Sequence, residues 1–199
     1  MPNRTASQRR ETKETTVQVE LDLDGKGEAA IETGIGMLDH LLTLLARHGG
    51  FDLKVQAVGD VHIDPHHTVE DVAIVLGRTL HEALGERRGI VRMSHAIVPF
   101  DEALALVAVD LSGRGYAVVD AQFSSDRIGE MTTDLVPHFL HSLAIEGRLN
   151  LHVRLMAGAN DHHRAEVIIK ALARALGQAV RIDPRMEGRV PSTKETLDA

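Results

Sequence analysis

The chain has 199 residues, 29 acidic and 22 basic, for a formal net charge of −7 with histidine neutral. Twelve histidines stand beside no cysteine and no tryptophan, so disulfides, a thiolate nucleophile and cysteine-ligated metal centres are excluded. An acidic total gives no electrostatic footprint for nucleic acid. The longest apolar run, around Ala103–Val109, is too short for a bilayer, and the polar opening Met1–Thr16 has no secretory h-region, so a cytoplasmic protein is expected.

In chain order, Val17, Val19, Leu21 and Leu23 alternate with polar residues, the period of a half-buried strand. Asp24-Gly25-Lys26-Gly27 then predicts a hairpin, with Ala29–Thr33 as the returning strand. Met37–Arg47 has apolar residues at helical spacing and is stopped by Gly49-Gly50. Phe51–Val58 reads as a strand and Gly59–Pro65 as a polar loop. His66–Leu84 is the next helix, with Val69, Val72, Ala73, Leu76 and Leu80 on one stripe.

The rest of the chain repeats this order. Leu21–Ala29 aligns with Val109–Ala117 around a shared Gly-x-Gly turn. Asp39-His40 and Phe51–Val55 align with Pro137-His138 and Leu149–Val153, and His66-His67-x-x-Glu70 aligns with His162-His163-x-x-Glu166. The spacing drifts through short insertions, one near Ser124–Thr133 in the second copy, as loops tolerate. Helices are predicted near Thr132–Gly147 and His162–Val180. The expected fold is α+β, an internal duplication of two similar strand-rich halves, 1–92 and 93–185, with sheets packed on helices. The tail 186–199 continues a turn-rich stretch from Asp183, and its composition is that of a disordered terminus.

The paired histidines carry the chemistry. At the start of a helix His66 and Glu70 lie one turn apart on one face and can hold one ion, while His67 points about 100° away and serves a different one. The same holds for His162 with Glu166, and for His163. His40 and His138, at equivalent repeat positions, are available to complete the two sites. A single adjacent histidine pair is more often a surface accident or a helix cap; a pair with Glu at the matching position, twice in register, favours metal. Imidazole and carboxylate suit zinc, manganese, iron, cobalt or nickel. His48, His62, His81, His95, His141 and His152 have no matched partner motif. His-Glu-x-x-His is absent, and Gly34-Ile-Gly36 fails as a dinucleotide loop because Asp39 holds the third glycine position.

The sequence resembles the imidazoleglycerol-phosphate dehydratase family across nearly its whole length. The resemblance rests on Arg10–Thr15, Gly34–His40, Asp64–Asp71, Ser112-Gly-Arg114, Asp161–Glu166 and Val190–Lys194. It departs at Gly115 and Asp161, where proline and asparagine are expected. The resemblance implies dehydration of imidazole glycerol phosphate to imidazole acetol phosphate in histidine biosynthesis. It implies two manganese ions per site, one held by His40, His67, His162 and Glu166, the other by His66, Glu70, His138 and His163. The ions would favour a substrate imidazolate that expels the hydroxyl through a diazafulvene-like intermediate. Glu14 would be the catalytic acid–base. Glu14, His40, His48, His66, Arg92, Arg114, His162, Ser192 and Lys194 would contact substrate, with Arg92, Arg114, Ser192 and Lys194 at the phosphate. The tail would then order over that phosphate. The family further implies a homo-oligomer of twenty-four subunits built from trimers, with sites between subunits. A metal storage or sensing protein and a dinuclear phosphoester hydrolase are the rivals. Neither requires balanced sites of three histidines and one glutamate together with the arginine and lysine set.

Overall fold

The computed structural model of the chain describes residues 4–186 and 188–197. The first three residues of the polar opening, and 187, 198 and 199 of the tail, lie outside the described residues. Two four-stranded sheets are packed with four helices, the α+β class expected. The first sheet holds β1 (Thr5–Glu11), β2 (Thr15–Asp22), β4 (Asp52–Gly59) and β3 (Ala29–Glu32), in that order. The second holds β5 (Met93–Phe100), β6 (Ala103–Asp110), β10 (Asn150–Ala157) and β7 (Tyr116–Asp120), again in that order.

This strand order corrects the predicted hairpin. β2 and β3 do not pair; β4 lies between them, antiparallel to β2 and parallel to β3. The glycine-rich turn is instead tied to β4 by Asp52, whose Oδ1 accepts the backbone N–H groups of Lys26 at 2.7 Å and Glu28 at 2.9 Å. A second correction concerns the opening segment. β1 precedes Val17 and pairs with β2 from Thr5↔Asp22 to Glu11↔Thr16. Its inward positions are Ala6, Gln8 and Arg10, so it has no apolar alternation for the sequence to display. Arg10 Nε donates to Asp71 at 2.8 Å, and Thr15 Oγ1 bonds the same carboxylate. The first hairpin is thereby fixed to the start of a helix.

The helices are α1 (Gly36–Gly49), α2 (His66–Leu84), α3 (Leu135–Glu146) and α4 (Asp161–Ala179). α1 ends where Gly50 takes φ 77° and returns its N–H to Ala46, a left-handed cap that suits glycine. Each helix packs on a sheet of its own half and on a helix of the other: α1 with α4, and α2 with α3. Their apolar stripes meet Val17, Val19, Val55, Val107, Leu151 and Val153 of the sheets in one continuous core. No helix of the described residues is long and apolar enough to cross a membrane.

The insertion near Ser124–Thr133 is an ordered brace. β8 (Arg127–Ile128) and β9 (Met131–Thr132) pair, burying Ile128 and Met131. Between them Glu130 accepts the Met37 N–H at 2.8 Å, capping α1. Its other anchor is buried Asp161 at the start of α4, which accepts Ser124 N, Ser125 N and Ser125 Oγ and pairs with Arg164. Burial pushes the Asp161 carboxyl up, but these bonds outweigh it and hold it at about 2, below the ordinary 3.8. A depressed carboxyl stabilises the fold above its ordinary value, and that contribution is lost as pH falls through the folded value. Asp161→Asn should therefore cost about 2 kcal/mol near neutrality, since it removes a hydrogen-bonded buried charge. The gap to the unmodified protein should narrow as the pH falls from 3.8 toward 2. Denaturant unfolding at several pH values checks this, and equal stability at neutral pH would refute it.

The described tail is tied to the body of the protein at several points, contrary to its composition. Pro184–Met186 forms a turn of 3-10 helix, and Gly89 donates to Arg189 O at 2.7 Å. Leu197 is buried. Its carbonyl lies so close to Gly113, at φ +82°, that a β-carbon there would meet it at 1.5 Å, so only glycine fits.

Candidate metal centre

Each histidine pair opens a helix, and a side chain two residues upstream accepts its first backbone N–H. Asp64 Oδ1 accepts His66 N at 2.7 Å. Asn160 Oδ1 accepts His162 N at 2.9 Å and His163 N at 3.4 Å. The amide looked for at position 161 thus stands one residue earlier, and Asp161 is free to hold the insertion. In both pairs the rings diverge, with centroids 6.2 Å apart and planes at 83°, as the helical angle predicted.

Among the described residues two groups converge. His40 of α1 meets His162 and Glu166 of α4; His138 of α3 meets His66 and Glu70 of α2. In each, one ligand atom per residue lies within 4.8 Å of the others. Glu166 Oε1 is 2.7 Å from His40 Nε2 and 2.9 Å from His162 Nε2. Glu70 Oε1 is 3.2 Å from His138 Nε2.

These trios fit a divalent cation. Ligands about 2.1 Å from one ion and at right angles to each other lie about 3 Å apart, the spacing seen here. Two imidazoles and a carboxylate are donors such ions accept. His138 Nε2 adds an independent sign: it is buried without a hydrogen bond, although a carboxylate oxygen stands 3.2 Å away. That atom and the carboxylate oxygen are aimed at a shared point without the geometry of a hydrogen bond between them.

The fourth predicted ligand of each set is not in its trio. His67 Nδ1 is instead 3.1 Å from Asp60 Oδ2 and 3.8 Å from Glu14 Oε2. His163 Nδ1 is 2.8 Å from Glu102 Oε2. Hydrogen bonds donated to Asp60 and Glu102 raise these two imidazoles above the ordinary 6.5. Glu102 is held down at about 2 by the Asn160 N–H, with His163 and the Ala159 N–H adding to it. A carboxylate on Nδ1 fixes the ring and leaves Nε2 to a ligand, the usual arrangement behind a metal-binding histidine. Asp60 and Glu102 were not found from the sequence, since neither lies at a periodic spacing from its histidine.

Glu14 sits in the β1–β2 turn, whose Thr12 Oγ1 accepts Glu14 N at 3.1 Å and Thr15 N at 2.9 Å. It stands beside His67, apart from the segment before the first strand where the sequence placed it. His48, in the last turn of α1, is lowered below 6.5 by partial burial and by Lys170 and Arg174, against the opposing charge of Glu166.

The expected phosphate residues gather elsewhere. Arg92, Arg114, Ser192 and Lys194 line one open cleft of about 1200 Å³, with Arg88 and Arg189. Arg92 has φ 74°, and its guanidinium is held by both oxygens of Asp110, at 2.7 and 3.0 Å, and by Pro191 O at 2.6 Å. Ser192 Oγ accepts Lys194 N at 3.1 Å. No trio residue is among those lining this cleft.

The sequence model of the imidazoleglycerol-phosphate dehydratase family matches residues 33–176. A relative of that name from Roseiflexus sp. (strain RS-1) is 58% identical over 98% of both chains. One from Dehalococcoides mccartyi (strain ATCC BAA-2266 / KCTC 15142 / 195) is 58% identical over 100% of both. The fold is similar to the crystal structure of the Staphylococcus aureus subsp. aureus N315 enzyme, with TM-score 0.82 and 36% identity over 90% of this chain and 99% of that one. It is equally similar to the Pyrococcus furiosus structure in complex with (S)-C348, with TM-score 0.81 and 36% identity over 95% and 99%.

Proposed function

The chain belongs to the imidazoleglycerol-phosphate dehydratase family and is a hydro-lyase, and from that premise we propose how its residues carry out the reaction. The substrate is imidazole glycerol phosphate, the product imidazole acetol phosphate, and the place of action the cytoplasm. The observation that carries the reading is the pair of matched trios, each with the donors to hold one divalent cation. Two divalent cations, manganese by family resemblance, would supply positive charge at both ring nitrogens and so ease deprotonation of the substrate ring.

The protein supplies the rest. His40, His162 and Glu166 hold one cation and His66, Glu70 and His138 the other. His67 and His163 serve as fourth ligands to the trios of neighbouring copies, because each is turned from its own chain's trios by Asp60 or Glu102. Glu14 stands next to His67 and therefore travels with it into the neighbour's site, where it moves the carbon-bound proton. Arg92, Arg114, Ser192 and Lys194 bind phosphate, their separation from the trios being bridged by another subunit. A single chain then holds only pieces of a site, in keeping with the family's twenty-four-subunit assembly of trimers. In this reading residues 1–92 and 93–185 are the duplicated halves and 186–199 the tail that closes over phosphate.

Product identity tests the proposal. Manganese-loaded protein given imidazole glycerol phosphate should form a ketone that retains its phosphate; release of inorganic phosphate would instead identify a phosphoester hydrolase. Metal uptake without any reaction would leave a storage protein. Arg114→Ala should raise KM by roughly tenfold to a hundredfold, as a charged hydrogen bond to phosphate is lost, with metal content unchanged. Loss of metal from that variant would place Arg114 in the wrong role.

A further inference from the structure

The two trios match in composition but differ in charge. Four residues beyond Glu166 on α4 stands Lys170; four beyond Glu70 on α2 stands Ile74. Lys170 Nζ donates to Glu166 Oε2 at 2.5 Å and lies 3.3 Å from the centre of the Phe100 ring. Its side chain is only 13% exposed, so it cannot turn to solvent without losing both contacts. Glu166 is accordingly bonded at both oxygens, Oε1 to the two histidines and Oε2 to the lysine. Glu70 is 39% exposed, and its one ion-pair partner among the described residues is His138.

Resting on the metal-centre reading above, we propose that Lys170 makes the two cation sites unequal, so that the His66–Glu70–His138 site is filled first and the His40–His162–Glu166 site second. Two neutral imidazoles and a carboxylate carry one negative charge, and in the second site the Lys170 ammonium cancels it. A divalent ion there approaches a fixed positive charge held on the far oxygen of its own carboxylate ligand. In a partly desolvated site such repulsion weakens binding by about a hundredfold or more. The opposing factor is that Glu166 is already pinned, which saves the ordering of one side chain, worth roughly fivefold. The charge wins. Phe100 strengthens the arrangement, because its ring face stabilises the ammonium where it stands while its edge meets His163 at 4.9 Å.

The test equilibrates the assembled, manganese-loaded enzyme against buffers of graded free Mn2+ and measures the metal retained per subunit. Two classes of one ion each are expected, separated by about tenfold or more in affinity. Lys170→Met keeps an unbranched side chain at this position and removes the charge, so it should tighten the weaker class and close the gap. Lys170→Arg, which keeps the charge, should preserve it. Ile74→Lys places an ammonium one turn from Glu70 and should weaken the tighter class, an answer that does not depend on how Lys170→Met folds. Two equal classes in the unmodified enzyme, or an unchanged gap in Lys170→Met, would overturn the inference and leave the metal centre intact. Failure to retain Mn2+ at any concentration would remove the metal centre itself.

Discussion

Glu14→Gln is expected to keep its bound metal and lose turnover by about a hundredfold or more, the usual contribution of a positioned acid–base group. The substitution keeps size and hydrogen-bonding capacity and removes only the ability to exchange a proton. Glu14 bonds no trio residue in the chain; its charged neighbour is His67, at 3.8 Å. Metal stoichiometry is therefore insulated from the change. The turn that carries it is fixed by Thr12, which accepts two backbone N–H groups, so the carboxylate is offered on a rigid support. Affinity for substrate should change less than turnover, since in the proposed site other residues hold the phosphate and the ring. Steady-state kinetics beside a metal assay decides the matter: a variant with full turnover removes Glu14 from the chemistry.

The second large effect is expected for Glu166→Gln. The amide can still accept from His40 and His162, but it carries no charge and is a poor ligand for a hard divalent ion. The metal of that trio should be lost, and activity with it. The fold should suffer as well. Lys170 is left facing a neutral amide in a site where its side chain is 13% exposed, and a buried charge deprived of its partner costs about 3 kcal/mol. Glu70→Gln should match it in lost metal and activity but not in stability, because α2 has Ile74 where α4 has Lys170. Elemental analysis and thermal unfolding of the two variants together check this. Equal unfolding temperatures would mean that the Lys170 pair does not hold the second half together.

How far the sequence could be read depended on whether the relevant signal was local. The bounds of α2 match those predicted, His66–Leu84, because its apolar stripe and its cap both lie within one segment. The divergence of His66 from His67 was likewise legible, being a property of helical pitch alone. The pairing of β3 was not. A glycine-rich turn after an alternating strand is ordinarily a hairpin, and only the later arrival of β4 between the two strands overrules it. β1 escaped notice because an edge strand with Ala6, Gln8 and Arg10 facing inward needs no apolar residues. The insertion read as a tolerated loop, whereas Glu130 and Asp161 make it a brace between α1 and α4. Lys170 could have been found, since a Glu followed four residues later by Lys on a helix is a standard ion pair. Asp60 and Glu102 could not, as contacts between a loop and a helix leave no periodic trace.

The crossed packing of the helices bears on ancestry. Each trio takes one histidine from a helix of one half and its His-x-x-x-Glu pair from a helix of the other. A polypeptide of half this length could therefore build neither trio alone. Two copies of it, facing one another about a two-fold axis, would build both at once, and the sites would be identical by symmetry. Joining the copies in one chain frees them from that identity. A lysine can then stand beside one glutamate and an isoleucine beside the other, a distinction no symmetric ancestor could express.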